Sequence, residues 1–207
     1  MYRLPRVSSR SASREQLLPA LPALAPRRSY ARWLAALGRG WLKLAGWRVE
    51  GEFPNVERCV VAVAPHSSNW DFVHGIAVVF ALGLGVSFVA KHTLFRGPLG
   101  GFIRWCGGLP VDRSQPHGLV EGIVAAFGRP EPLWIAITPE GTRKRVPRFK
   151  TGFYRIALAA GVPILPVAFN YRRRAVIPLP IWMPDKSVEQ GVQEMEKLFA
   201  QHGARRK

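Results

Sequence analysis

The chain has 207 residues, 48% of them hydrophobic, enough for one α/β domain with a short appendage and too apolar for a disordered tail protein. Thirty Lys and Arg against thirteen Asp and Glu leave a net charge of +17, so the surface suits an anionic partner: nucleic acid, a phospholipid surface or a phosphate-bearing small molecule. Cys59 and Cys106 lie in apolar surroundings at no metal-ligand spacing. That argues against a disulfide scaffold and a zinc module, and for buried, reduced thiols.

The charge is concentrated early. Residues 1–48 hold ten Lys and Arg against the single acid Glu15, a net of +9. Arg3, Arg6, Arg10 and Arg14 stand among Ser8, Ser9, Ser11 and Ser13 with no acid, a composition shared by basic tails and transit peptides, and an unordered basic tail is the expectation. Pro19, Pro22 and Pro26 interrupt the apolar residues 17–26, which speaks against a cleavable secretory signal and for the cytoplasmic side. Trp33, Leu34, Leu37, Trp41, Leu44 and Ala45 then recur at helical spacing, with Arg32, Arg39 and Lys43 mostly elsewhere on the wheel. This predicts a basic amphipathic helix whose tryptophans, with Trp47, suit an anionic membrane interface or pack on the domain. The expected organisation is a basic, membrane-associating arm over 1–48 and one domain over 49–207.

Beyond residue 58 the pattern alternates. Runs rich in β-branched or aromatic residues at 59–64, 86–90, 133–138 and 164–169 predict strands, and helical patterns cover 70–82, 118–127 and 152–160. A last helix is expected from Ser187, a candidate N-cap, to about Gln201. Strands apolar on both faces that alternate with helices predict an α/β fold with a mostly parallel central sheet covered by helices. Residues 72–90 contain no Lys, Arg, Asp or Glu and approach the length of a bilayer span. Gly75, Gly83, Gly85 and Ser87 break that run, so a buried helix, a turn and a buried strand are expected instead.

His66 directly follows the first strand, and Asp71 lies five residues on, where a helical pattern opens. Residues just beyond the carboxyl ends of parallel strands line the ligand crevice. From there the Asp carboxylate can hold one imidazole nitrogen and leave the other as a proton acceptor. After the strand at 133–138 comes the turn PEGTRKR, which places Gly141, Thr142 and Arg143 where backbone amides, a hydroxyl and a guanidinium can hold an anion. A solvated basic turn is the competing reading of that segment alone. Arg113, ending GGLPVDR, is a third candidate, with Asp112 as a local ion-pair alternative.

These pieces, in this order, resemble the glycerolipid acyltransferase family, whose best-known members are 1-acylglycerol-3-phosphate acyltransferases. The family's H-x4-D block is matched by His66 and Asp71; G-x-x-F-[IV]-x-R by residues 107–113; F-P-E-G-T-R by 138–143; and V-P-I-x-P-V by 162–167. The likeness spans about residues 58–170. Pro110 and Thr138 stand where the family usually has Phe, which bears on the wall of the acceptor pocket.

The resemblance implies direct acyl transfer from a thioester, acyl-CoA or acyl carrier protein, to a lysophospholipid hydroxyl, most simply that of 1-acylglycerol 3-phosphate in phospholipid biosynthesis. No metal or resident cofactor is implied. His66 would take the acceptor's proton and Asp71 would hold the imidazole, while Arg113, Glu140, Gly141, Thr142 and Arg143 would form the acceptor's phosphate site. A carboxylate cannot bind phosphate directly, so Glu140 is expected to orient Arg113 or Arg143; Lys150 is a weaker candidate. Another lysolipid, such as a lyso-aminolipid, is the nearest alternative acceptor. From a different class, a nucleic-acid-binding protein would account for the charge, but no groove-reading motif is present. A serine hydrolase is disfavoured because Ser67 and Ser68 lack the G-x-S-x-G elbow.

Overall fold

The computed structural model describes residues 17–97, 99–111, 116–185 and 187–206. Among these, strands β1 (Arg48–Val49), β2 (Arg58–Ala64), β3 (Val86–Lys91), β4 (Gly108–Val111), β5 (Leu133–Ile137), β6 (Ile164–Asn170) and β7 (Ala175–Pro178) form one sheet in the order β1-β7-β6-β2-β5-β3-β4. Every neighbouring pair is parallel except β6–β7. Helices α1 (Arg32–Ala45), α2 (Asn69–Leu82), α3 (Leu99–Trp105), α4 (Pro116–Phe127), α5 (Gly152–Ala160) and α6 (Val188–His202) complete the fold. It is the mostly parallel α/β architecture that the alternating pattern predicts, and the predicted central strands and helices agree within two residues at each end.

The sheet is buried on both faces. Along β2, Val60, Ala62 and Ala64 pack with Ile123, Phe153, Ile156, Met195 and Phe199 of α4, α5 and α6, whereas Cys59 and Val61 pack with Leu42, Ala77, Val78 and Ala81 of α1 and α2. Successive side chains point to opposite faces, so a continuous apolar run serves two layers at once. Each large aliphatic or aromatic side chain removed from water here contributes about 1.5–3 kcal/mol. Both cysteines are free and buried, and burial pushes their thiols up, Cys59 most strongly.

The segment 72–90 folds as the glycine pattern predicts. α2 ends at Gly83, which has φ +68°, a conformation that glycine adopts without a Cβ clash. The chain then turns into β3. Among the described residues no helix is long and apolar enough to cross a membrane.

Residues 1–16 of the basic arm lie outside the described residues, whereas residues 32–48 pack continuously with the sheet. Leu42 and Trp47 are in the core, β1 pairs with β7, and α1 lies across α2. A Cβ at Gly38 would stand 2.6 Å from the Ala77 carbonyl oxygen, so the two helices cross where only glycine fits. The three arm tryptophans divide accordingly. Trp47 is buried and stacks on His74 with ring centroids 4.0 Å apart, which removes it from any membrane contact; Trp41 is half-buried and stacks on Trp70; Trp33 is exposed.

β1, β4, β7 and α3 carry no sequence prediction. They are two, four, four and seven residues long, too short for periodicity to register. Pro110 and Pro178 in β4 and β7 also lower any strand reading.

Candidate active site

Three adjacent parallel strands, β6, β2 and β5, end on one edge of the sheet and deliver His66, the 139–143 turn and Tyr171 to a single place. From β2 the chain crosses through α2 on one face to β3. From β5 it crosses through α5 on the other face to β6. Where crossovers diverge in this way, a crevice opens at the carboxyl ends of the strands.

Within that crevice His66 Nδ1 lies 3.2 Å from Asp71 Oδ2, with the histidine side chain 23% exposed and the aspartate 2%. Ser67 and Ser68 each donate a backbone N–H to the same oxygen, at 2.5 and 2.8 Å, and the Tyr171 hydroxyl donates to Asp71 Oδ1. Burial alone would raise the Asp71 carboxyl, but hydrogen bonds from His66, Tyr171 and the two amides outweigh it and hold the group below its ordinary value. The carboxylate therefore stays charged and can stabilise an imidazolium. Nε2 of His66 has no protein partner among the described residues, which leaves it free for a substrate proton.

Asp71 is also structural. It stands at the N3 position of α2, where Ser68 and Asp71 form a reciprocal capping box. The S-x-x-D spacing from Ser68 to Asp71 signals that box, so one carboxylate fastens the helix and orients the base. Tyr171 was not apparent from the sequence; its only signal is its position just past β6. Trp47 meets its ring edge-on with centroids 4.9 Å apart. Burial and the adjacent carboxylate push the phenol far up, so it remains a hydrogen-bond donor.

Glu140 is buried and accepts the His66 backbone N–H at 3.1 Å and Arg205 Nη1 at 3.0 Å. Burial pushes its carboxyl up against the pull of Arg205. Among the described residues its guanidinium partner is Arg205, and Arg143, one of the two arginines expected there, pairs with Asn69 instead. Arg143 is exposed and donates to Asn69 Oδ1, so the post-β5 turn reaches back to the loop that carries His66. Thr142 Oγ accepts the Lys144 N–H. Gly141 has φ +63°, and a Cβ there would stand 3.0 Å from Lys150 Nζ; Lys150 thus lies against the turn. Arg113 lies outside the described residues.

His74 takes no part in the pair. Trp41 donates its indole N–H to His74 Nδ1 at 3.3 Å, and burial lowers the imidazole, keeping it neutral.

A family model described as Acyltransferase matches residues 47–170. The chain belongs to the acyltransferase family. The 1-acyl-sn-glycerol-3-phosphate acyltransferase of Escherichia coli K12 is 35% identical over 117 residues, covering 53% of this chain and 46% of that enzyme. The Haemophilus influenzae enzyme of the same name is 29% identical over 147 residues, covering 66% and 58%. The chain spans about half the length of these curated relatives. The crystal structure of the 1-acyl-sn-glycerophosphate acyltransferase PlsC of Thermotoga maritima shares the fold, with a TM-score of 0.59 and 19% identity over 82% of this chain and 77% of that one. The family's matched stretch begins at Trp47, the residue that packs on Tyr171, and holds both members of the His66–Asp71 pair.

Proposed function

We propose that this acyltransferase moves an acyl group from a thioester, acyl-CoA or acyl carrier protein, to the free hydroxyl of 1-acylglycerol 3-phosphate, at the surface of an anionic membrane on its cytoplasmic face. The observation that carries the reading is the His66–Asp71 pair, with Nδ1 held by a carboxylate that three further donors fix and Nε2 without a protein partner among the described residues.

His66 Nε2 takes the hydroxyl proton as the oxygen attacks the thioester carbonyl. Collapse of the tetrahedral intermediate breaks the C–S bond and the imidazolium returns the proton to the thiolate, giving an ester and a free thiol. Asp71 holds the imidazole and stabilises its cation, and no acyl-enzyme is formed. Arg143 holds the acceptor phosphate. Incubating the purified protein with a labelled acyl thioester and a panel of lysolipids with and without phosphate, then identifying products by mass spectrometry, tests this. Ester formed with the phosphate-bearing acceptor supports it; no ester with any acceptor overturns it.

Arg143→Ala is expected to raise KM for the phosphate-bearing acceptor roughly 10- to 150-fold and barely change that for the thioester, because a charge-assisted contact of this kind is worth about 1.5–3 kcal/mol. Lysine keeps the charge without the fork that grips two oxygens, so Arg143→Lys restores part of the loss. Steady-state kinetics with each substrate varied in turn would expose a defect selective for the thioester, which contradicts the assignment.

The membrane contact rests on α1. Trp33, Leu37 and Leu44 are 63%, 60% and 85% exposed, and at 100° per residue they fall on one narrow stripe between the buried face of Leu34, Gly38 and Leu42 and the cations Arg32, Arg39 and Lys43. An apolar stripe edged by cations suits an anionic interface, where each basic residue adds about 1 kcal/mol. Replacing all three stripe residues with serine removes no buried group. It is expected to weaken co-sedimentation with anionic vesicles at least tenfold while sparing turnover of a dispersed short-chain acceptor. Unchanged sedimentation moves the contact elsewhere.

A further inference from the structure

We infer that Arg206 supplies a second guanidinium to the anion site beside His66, so that the acceptor's phosphate is gripped from two sides: by the turn after β5 and by residues 203–206 after α6. The inference rests on the acyl-transfer reading above and extends it to a segment outside the matched stretch of residues 47–170.

Backbone contacts bring this segment to the edge of the site. A Cβ at Gly203 would stand 2.6 Å from Pro65 Cδ, so the chain there packs directly on the residue before His66. Ala204 donates to the Phe169 carbonyl at 2.9 Å and accepts the Tyr171 N–H at 3.0 Å, which lays it alongside the end of β6, and the Asn170 amide donates to the His202 carbonyl at 2.8 Å. Arg205 is the tether. One of its nitrogens bonds Glu140; the other donates to the carbonyl oxygens of Arg143 at 2.8 Å and His66 at 3.5 Å. Arg206 is thereby delivered to the loop 67–69. Its backbone N–H bonds Ser67 Oγ at 3.3 Å, its Nη1 lies 3.4 Å from Ser68 Oγ, and its guanidinium carbon lies 5.6 Å from the Trp70 ring centroid.

Arg48, Arg173 and Arg205 each pair with a carboxylate, of Glu50 or Glu140. Arg206 and Arg143 pair with none among the described residues; their side-chain partners are a serine hydroxyl and an asparagine amide on consecutive residues, Ser68 and Asn69. Two guanidiniums held by neutral acceptors on adjacent residues gain by exchanging them for charged phosphate oxygens, since ionic hydrogen bonds are about twice as strong. The placement also fits the acceptor. In 1-acylglycerol 3-phosphate the attacked hydroxyl and the phosphate sit on neighbouring carbons, so the phosphate of an acceptor bound at His66 stays within a few ångströms of the loop that Arg205 and Arg206 contact. Arg205 and Arg206 also line an open hollow of about 820 Å³ with Arg172 and Arg174, which extends the positive potential outward and draws an anion in.

The test compares wild type, Arg206→Ala and Arg206→Lys, each checked by thermal melting. Kd for 1-hexanoylglycerol 3-phosphate and for phosphate-free 1-hexanoylglycerol is read by calorimetry, and KM is read for both and for the acyl thioester. Arg206→Ala is expected to raise Kd and KM for the phosphate-bearing compound about tenfold, with the others unchanged and lysine recovering part. An unchanged Kd for that compound overturns the inference, and so does a rise confined to the thioester, which would assign Arg206 to the donor's phosphates. Wild type that binds the phosphate-bearing compound and acylates no acceptor overturns the acyl-transfer reading, while the Kd comparison still decides the role of Arg206 as a phosphate ligand.

Discussion

His66→Ala is expected to lower the rate of acyl transfer roughly 100- to 10,000-fold, the range for removal of a general base, with little change in melting temperature. The side chain is part-exposed, and its one polar side-chain bond among the described residues is Nδ1 to Asp71 Oδ2; Glu140, Arg205 and the Ser67 amide hold the loop through backbone groups that alanine retains. The loss should fall on kcat with KM for either substrate nearly unchanged, because the imidazole acts on a proton in flight and not on a bound anion. A folded His66→Ala protein with near-full turnover would falsify the mechanism.

Asp71→Asn is expected to be as damaging to the rate and, unlike His66→Ala, to destabilise the fold. Four donors converge on this carboxylate: the Ser67 and Ser68 amides, His66 Nδ1 and the Tyr171 hydroxyl. An asparagine offers one acceptor oxygen, and its NH₂ faces donors on the other side, so at least one buried donor is left unpaired at about 1–3 kcal/mol. The imidazolium also loses its counter-charge. The pH dependence follows the depressed Asp71 carboxyl. Its contribution to stability is fully present above the unfolded value near 4 and disappears as pH falls through the lower folded value, so the melting-temperature gap between wild type and Asp71→Asn should close under acid conditions. A gap that persists undiminished at the lowest accessible pH would show that the variant's defect is steric and not due to the lost charge.

How legible the site was depends on how local each contact is. His66 and Asp71 lie five residues apart across a strand end and a helix start, and the S-x-x-D cap that brings the carboxylate back is written in adjacent residues. Gly141 is likewise legible in the turn PEGTRKR after a predicted strand, and the structure gives it the positive φ that glycine permits. Tyr171, Arg205 and Arg206 reach the same place from 100 or more residues away along the chain. Nothing in their own neighbourhoods marks them, since an arginine near a helix end reads as a solvated charge until its partner is known. Glu140 shows the limit from the other side: its orienting role toward an arginine was expected, but the arginine it holds, Arg205, arrives from the segment after α6, which a bridge between Asn170 and Ala204 lays beside the end of β6.

By itself the sequence determined the central strands, most of the helices, the parallel α/β layering and the His66–Asp71 pair, because side-chain periodicity and short motifs are encoded within a few residues of one another. Only the tertiary structure decided which face of α1 is buried, since Leu34 and Leu42 go inward while Trp33, Leu37 and Leu44 stay outside. It likewise decided that Trp47 serves the core, that Glu140 answers to Arg205, and that residues 203–206 close over the first motif. Those outcomes depend on which surfaces of distant segments meet once the sheet has assembled. Periodicity shows that a helix has an apolar side, but the packing partner, here α2 with its close approach at Gly38, selects how much of that side the protein covers and how much it leaves to its surroundings.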